Sequence, residues 1–273
     1  MTALTAYYRV TPSGNGKPRP DWFSRRTAMR SFLQAAERAG AEVVVVADGG
    51  VPDDLRDLVP GPVVPVRGGS AARSFRRLLD VADAPDGLVW FAEDDYLYRP
   101  DALERVRAAA TALPHADYLG VYTPDNAAWH AAAPSQPARR GPEQAWTVDG
   151  QAWRRAWDST STFGVRAEVL REDAALLRLC SRCGGPWDHA CVLAVQGVGP
   201  YPVRALHTDL FLRLSRASAG RVVSRPLLRA AVDLAARTRS RTWVAPVVDL
   251  ATHAEPGHVS PGADWAELAR SVG

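Results

Sequence analysis

Three consecutive carboxylates, Glu93, Asp94 and Asp95, directly follow the apolar run LVWFA. Mg²⁺ and Mn²⁺ prefer oxygen ligands, and one or two carboxylates together with substrate phosphates complete their coordination shell. In an extended tip Glu93 and Asp95 point to one side, because side chains alternate along a strand. The alternative is a solvated turn whose aspartates cap the next helix, but Asp101 already stands at that cap. The triplet therefore predicts a site for Mg²⁺ or Mn²⁺.

A second set of metal-ligating residue types lies in the segment CSRCGGPWDHAC, which contains Cys180, Cys183, His189 and Cys191. A Cys-x-x-Cys pair followed by two further soft ligands is able to close a tetrahedral zinc site. The His-x-Cys spacing is tighter than in common zinc ribbons, and Cys180 also fits the apolar face of a helix. Structural zinc and reduced, buried thiols both remain open for this segment.

The elements that position the acidic triplet alternate between strand and helix. Short runs rich in β-branched or aromatic residues, LTAYYRV, AEVVVVADGG and GLVWFA, predict buried strands. One predicted helix is capped by Asp21 and ended by Gly40, a second begins at Ser70, and a third has Asp101 and Glu104 at capping-box spacing. This alternation predicts a single α/β domain with a mostly parallel central sheet flanked by helices.

The same pattern predicts where a ligand would bind. Parallel α/β sheets bind ligands beyond the carboxyl ends of their strands. Asp48 ends one predicted strand and the acidic triplet ends another, so both lie on the same rim. From 123 to 150 the chain is rich in Pro and is predicted to be irregular, and strand and helix patterns return after it.

Composition excludes several classes of function. Hydrophobic residues make up 47% and charged residues 23% of the 273 residues, which is typical of globular proteins. The net charge is only +3 and the cations are dispersed, so binding of nucleic acid through a basic face is disfavoured. No segment approaches the ~20 apolar residues of a membrane helix, and we expect no integral membrane segment and a cytoplasmic location. Three cysteines fit reduced thiols.

The order of YYRV, VVVVADGG, GGSAARSFRRLLDVA and VWFAEDDY resembles the nucleotide-sugar-binding half of GT-A-fold glycosyltransferases, particularly the family 2-like enzymes. The resemblance implies one Rossmann-like domain in which residues 1–122 bind a nucleotide-diphosphate sugar. Residues 123–273 would bind the acceptor and supply a C-terminal metal-site segment. It implies a metal-dependent enzyme that transfers the sugar to a hydroxyl of a small molecule or glycan, with inversion.

The resemblance also implies roles for individual residues. Asp48 would contact the nucleotide base, and Glu93-Asp94-Asp95 would stand for the family's D-x-D motif, with Glu in place of the first Asp. Asp95 would then contact the metal directly, Glu93 would face the ribose or sugar, and Asp94 would support them. The candidates to contact the diphosphate or frame its pocket are Arg9, Arg67, Arg73 and Arg76.

Two further site residues follow from the second half of the chain. GGPWDHA stands where the family has its catalytic base, which makes Asp188 the candidate, with Trp187 in place of a preceding acid. A helix N-cap is the alternative role for Asp188. Metal-dependent members recruit a late His, for which His253 is chosen over His258, and an imidazole ligand favours Mn²⁺ over Mg²⁺.

Two rival functions remain open. A nucleotidyltransferase of sugar phosphates shares the parallel sheet and acidic site, and TPSGNGKPRP is a faint version of its Gly-rich basic loop. A non-catalytic nucleotide- or carbohydrate-binding protein is the rival outside enzymes. Several tryptophans of the second half are candidates to stack on an acceptor or to anchor loops: Trp129, Trp146, Trp153, Trp157 and Trp187.

Overall fold

The computed structural model describes residues 2–12, 16–123, 144–201 and 219–273. The strands are β1 (Leu4–Val10), β2 (Glu42–Asp48), β3 (Val63–Val66), β4 (Leu88–Glu93), β5 (Tyr96–Tyr98), β6 (Tyr118–Gly120), β7 (Ala145–Val148), β8 (Gln151–Arg155), β9 (Phe163–Arg166), β10 (Trp243–Pro246) and β11 (Ala251–His253). The α-helices are α1 (Arg25–Arg38), α2 (Ala71–Val81), α3 (Ala102–Ala112), α4 (Ala167–Cys180), α5 (Trp187–Val195), α6 (Ala219–Ala236) and α7 (Trp265–Val272). A 3₁₀ helix spans Asp53–Leu58.

Nine strands form one sheet in the order β3-β2-β1-β4-β9-β6-β10-β8-β7. In the described part of this sheet, β8 and β9 run against the other strands. The predicted α/β class with a mostly parallel central sheet is thus confirmed. Strand β10 lies between β6 and β8, so residues from both predicted halves of the chain share the sheet. Strands β5 and β11 pair in a separate antiparallel ribbon.

The sheet is buried on both faces. Consecutive residues of a strand point to opposite faces, so Tyr8 and Trp90 join one core cluster with α1 and α3, while Tyr7 and Phe91 join another with α2, α4, α5 and α6. Strand β4 is fully buried up to its last residue, Glu93. The continuous apolar run that precedes the triplet is therefore the pattern of a strand covered on both sides.

One predicted helix cap is wrong, and another stands at the predicted position without a capping hydrogen bond. Helix α1 begins after Ser24, whose hydroxyl accepts the backbone N–H of Thr27 at 3.0 Å, and Asp21 lies in the preceding turn. The short serine side chain there satisfies an N–H group that the first helical turn leaves open. Asp101 does precede α3, but its carboxylate accepts a hydrogen bond from Arg105 at 2.6 Å instead of capping the helix.

The region predicted to be irregular contains part of a hairpin. Strands β7 and β8 pair antiparallel around Asp149 and Gly150, whose φ angles are 47° and 75°. An Asp-Gly pair with positive φ at both positions is the favoured two-residue hairpin turn, so this signal was present in the sequence. Trp129, in the same predicted loop, lies outside the described residues.

Candidate functional site

A cavity of about 930 Å³ opens beyond the carboxyl ends of β1, β2 and β4. This is the rim on which the sequence placed Asp48 and the acidic triplet. Its lining carries charges of both signs: the cations Arg9, Lys17, Arg19, Arg25 and Arg67, and the carboxylates Asp48, Glu93, Asp94 and Asp95. Within the described ranges Arg67 has no carboxylate within 4.0 Å, so its guanidinium is available to an anion in the cavity.

Asp48 fixes the loop that leads into α2. Its carboxylate accepts the backbone N–H of Gly68 at 2.7 Å and that of Gly69 at 3.2 Å. A Cβ on Gly68 would lie 2.5 Å from the backbone of Ser74, so this close approach requires glycine. Arg73 donates to the carbonyl oxygen of Gly69 at 3.4 Å and does not line the cavity. The roles predicted for Asp48 and Arg73 toward a nucleotide stay predictions.

Glu93 is held by Arg9 across neighbouring strands. The two residues are register partners on β4 and β1, and the Arg9 guanidinium donates to Glu93 Oε1. Burial raises the pKa of Glu93, and the positive charge of Arg9 opposes that shift. Two residues predicted to contact different parts of a donor are therefore paired with each other at the cavity wall.

Asp94 carries the least satisfied carboxylate of the triplet. Its Oδ2 is buried and has no hydrogen-bond partner among the described residues. Burial, followed by the negative charge of Asp95, raises the pKa of Asp94 to about 7. Asp94 lines the cavity together with Glu93 and Asp95, and the supporting role predicted for it stays a prediction.

Asp95 and His253 meet, as the predicted metal pair requires. His253 Nε2 lies 3.1 Å from Asp95 Oδ2, and Arg19 donates to the same oxygen at 2.9 Å. Burial acts to raise the pKa of Asp95, but the hydrogen bond and charge of His253, together with Arg19, hold that pKa well below its ordinary value. Strand β11 brings His253 there, because it pairs with β5 immediately after the triplet.

The side chains around Asp95 and His253 suit a cation that is also coordinated by a bound ligand better than a cation held by protein side chains alone. Glu255 approaches His253 at 3.7 Å but is also bound by Lys17 at 2.6 Å. Within the described ranges, no group of three or more His, Cys, Asp or Glu side chains is arranged to hold a metal ion. Mg²⁺ commonly takes one or two carboxylates and completes its shell with substrate phosphates, and the role of Asp95 and His253 toward such a cation stays a prediction.

Asp188 lies in the first turn of α5, and its Oδ1 accepts the N–H of His189 at 3.0 Å. Burial raises the pKa of Asp188 to about 6, and the charges of Glu93 and Asp158 add to the shift. Asp188 is not one of the residues that line the cavity. Its predicted role as a base stays a prediction.

A buried pair beside Asp188 was missed by sequence reasoning. His189 Nδ1 lies 2.8 Å from Asp158 Oδ1, and both side chains are buried. Asp158 Oδ2 is buried with no hydrogen-bond partner in the described part of the chain. The polar segment DSTST has no pattern that predicts burial, so the partner of Asp158 became apparent only in the structure.

The segment with three cysteines packs as core. All three thiols are free and buried, and Cys183 donates to the carbonyl oxygen of Leu179 at 3.5 Å. The imidazole of His189 is engaged by Asp158 instead of by the thiols. Among the described residues the zinc alternative therefore finds no ligand cluster.

The described tryptophans of the second half do not line the cavity. Trp153 is fully buried in the core, and Trp187 packs on Phe75 with ring centroids 4.9 Å apart. Trp157 lies under the guanidinium of Arg155 at 4.4 Å. These contacts match the anchoring role better than stacking on an acceptor.

No family model matches the chain, and no curated protein matches it in sequence. Among solved structures, S. aureus TarS 1-349 aligns with a TM-score of 0.43 and 13% identity, over 70% of this chain and 54% of that chain. The 4-diphosphocytidyl-2C-methyl-D-erythritol synthase from Anaerococcus prevotii aligns with a TM-score of 0.37 and 12% identity, over 99% and 97% of the two chains. CMP:2-keto-3-deoxy-manno-octonic acid synthetase complexed with CTP aligns at 0.38 and 14%, over 64% and 78%.

This chain spans about half the length of TarS 1-349. Because the TM-scores lie below 0.5, no reaction and no residue role is carried over from these proteins. Across the part of the chain that the structure describes, no helix combines the length and apolar character needed to span a bilayer.

Proposed function

We propose that this protein is a glycosyltransferase that moves a sugar from a nucleotide-diphosphate donor to a hydroxyl group of an acceptor, with inversion. The observation that carries the proposal is the cavity at the strand ends, which combines guanidinium groups with a carboxylate-imidazole pair. A nucleotide-diphosphate sugar presents the matching chemistry, since its diphosphate attracts arginine and a divalent cation together. Residues 1–122 would bind the donor, and 123–273 would bind the acceptor.

The residues divide the work between the diphosphate and the acceptor. Arg67 is positioned to neutralise the leaving diphosphate, and Asp95 with His253 would hold Mn²⁺ or Mg²⁺, which supplies further positive charge to that leaving group. Asp188 would accept the proton of the acceptor hydroxyl as its oxygen bonds to the anomeric carbon and the bond to the diphosphate breaks. A base with a pKa of about 6 is ionised at neutral pH, as this role requires.

The first experiment is a thermal-shift screen of ADP, CDP, GDP, TDP and UDP, each with and without Mn²⁺. A ligand at 100 times its Kd stabilises the native state by about 2.7 kcal/mol, which raises Tm by roughly 5 °C for a chain of this size. Arg67→Gln should reduce the shift, while Arg237→Gln, at an exposed position in the turn just after α6, should leave it unchanged. If no nucleotide raises Tm, the proposal is wrong.

A nucleotidyltransferase of sugar phosphates is the second candidate, and a specific observation favours it. Gly16, Lys17 and Arg19, from the Gly-rich loop after β1, line the cavity. Basic residues at this position suit a triphosphate whose pyrophosphate leaves. Incubation with a nucleotide-diphosphate sugar and labelled pyrophosphate separates the two reactions, because only a nucleotidyltransferase converts them into labelled nucleoside triphosphate and sugar phosphate. Binding of nucleotide with neither exchange nor sugar transfer would instead indicate the non-catalytic binding protein.

A further inference from the structure

A group of arginines surrounds the loop that joins α4 to α5, outside the cavity. The guanidinium of Arg225 lies against Gly184, where an added Cβ would stand 2.7 Å from Arg225 Nη2. Gly184 has a φ of 66° and Gly185 also has a φ of 66°, so glycine suits both the backbone and the close approach. Arg182, two residues before Gly184, is exposed.

Helix α2 contributes two more cations to the same area. Arg76 donates to Ser181, at 3.0 Å to the carbonyl oxygen and 3.1 Å to the hydroxyl, which ties α2 to the loop. Burial lowers the pKa of Arg76, and the positive charges of Arg182 and Arg73 lower it further. We call Arg73, Arg76, Arg182 and Arg225 the arginine cluster.

Among the described residues, no carboxylate forms an ion pair with a member of the arginine cluster. Within the described ranges neither Arg182 nor Arg225 has a carboxylate oxygen within 4.0 Å. The nearby acid Asp80 is shared between Arg77 and Arg178, at 3.3 Å and 3.1 Å. Like charges gathered in this way repel one another unless an anion lies among them.

The position of the cluster connects it to the proposed acceptor side. The loop beside Arg182 and Arg225 leads into the first turn of α5, which holds Asp188, and Trp187 packs on Phe75 of α2. None of the four arginines lines the donor cavity. The cluster therefore lies beside the loop that leads to Asp188 and apart from the residues that line the cavity.

We propose that the arginine cluster binds phosphate groups of the acceptor, so that the acceptor is a molecule bearing more than one phosphate. The identification of the bound molecule as the acceptor rests on the proposed function. The phosphate site itself rests on the arginine cluster alone. Guanidinium groups match phosphate oxygens with paired N–H donors, and cations spread from α2 to α6 suit phosphates repeated along a chain.

The test is direct binding of linear polyphosphate of about ten phosphates, measured by calorimetry with the nucleoside diphosphate from the screen saturating the cavity. The parent should bind it, and the double variant Arg182→Gln/Arg225→Gln should lose at least tenfold in affinity. Arg237→Gln removes an exposed cation in the turn just after α6, about 18 Å from Arg225 by the rise of that helix, and should stay within twofold of the parent. Arg182→Gln alone, at an exposed position without an ion pair, tests the site if the double variant folds poorly.

Three results would overturn the inference: no polyphosphate binding by the parent, undiminished binding by the Arg182→Gln variant and the double variant, or equal binding of polyglutamate of matched length. Nucleoside diphosphate binding is measured in the same samples and should not change in the variants. If no nucleoside diphosphate binds while the variants still lose affinity for polyphosphate, the donor proposal fails and the phosphate site stands. If the donor binds and polyphosphate does not, the inference fails alone.

Discussion

Replacement of Asp188 by asparagine is expected to stabilise the fold while it removes the proposed base. The pKa of Asp188 rises from 3.8 to about 6 in the folded protein. The folded state therefore binds this proton more tightly than the unfolded state, and ionisation of Asp188 lowers the free energy of unfolding. A shift of about 2 units corresponds to about 3 kcal/mol, and partial contact with solvent reduces this to about 2 kcal/mol. Asparagine keeps the Oδ1 acceptor for the N–H of His189 and carries no charge.

The sign of the effect fixes its pH dependence. The parent loses this stability as pH rises from about 4 through 6, so the asparagine variant should be more stable by about 2 kcal/mol at pH 8, and the gain should shrink progressively below pH 6. Urea unfolding at pH 8, 6 and 4.5 measures this difference in the free energy of unfolding. The control is Asp86→Asn at an exposed position, whose free energy of unfolding should stay within about 0.5 kcal/mol of that of the parent. Transfer activity should fall 10²-fold or more. A variant that is less stable at pH 8, or equally stabilised at every pH, would refute the reasoning.

Three further outcomes are expected. The kcat/KM of the parent should rise with pH through about 6 and then level off, as Asp188 loses its proton, and a flat profile would remove Asp188 as the base. Arg9→Ala should destabilise the protein by about 1 to 3 kcal/mol in urea unfolding, because Glu93 loses its partner, while Glu93→Gln/Arg9→Ala should recover part of the loss. Gly68→Ala should lower both Tm and nucleotide affinity, since its Cβ meets Ser74 at 2.5 Å, whereas Gly61→Ala, whose Cβ meets only the carbonyl oxygen of Val43 at 3.9 Å, should change affinity less than twofold.

Local patterns were sufficient to predict the rim of the sheet. The run before Glu93 is apolar without interruption because β4 is covered on both faces, and the β-branched run before Asp48 has the same origin. Since the carboxyl ends of parallel strands share one edge, their two sets of acids had to meet there. The order of elements and the cavity-lining positions of Asp48 and the triplet follow from these short segments.

The partners of those acids were not predictable in the same way. Arg19 reaches Asp95 and His189 reaches Asp158 across 76 and 31 positions of the chain, and neither pair has a periodic or spaced signal. The start of α1 was misplaced for a related reason: Asp21 and Ser24 are both good caps by type, and only the backbone path of the preceding loop decides between them. The partner of a charged side chain and the residue that caps a helix depend on tertiary position more than on neighbouring sequence.

The placement of β10 and β11 sets an order of events during synthesis. Strand β6 can receive its parallel neighbour only after residues 243–246 have left the ribosome, and Asp95 meets His253 only when β11 has paired with β5. Until then the acidic turn exists without its imidazole partner, and one edge of β6 remains open to incorrect pairing. A nascent chain that stops before residue 253 would therefore carry much of the sheet but lack the residue pair proposed to hold the cation.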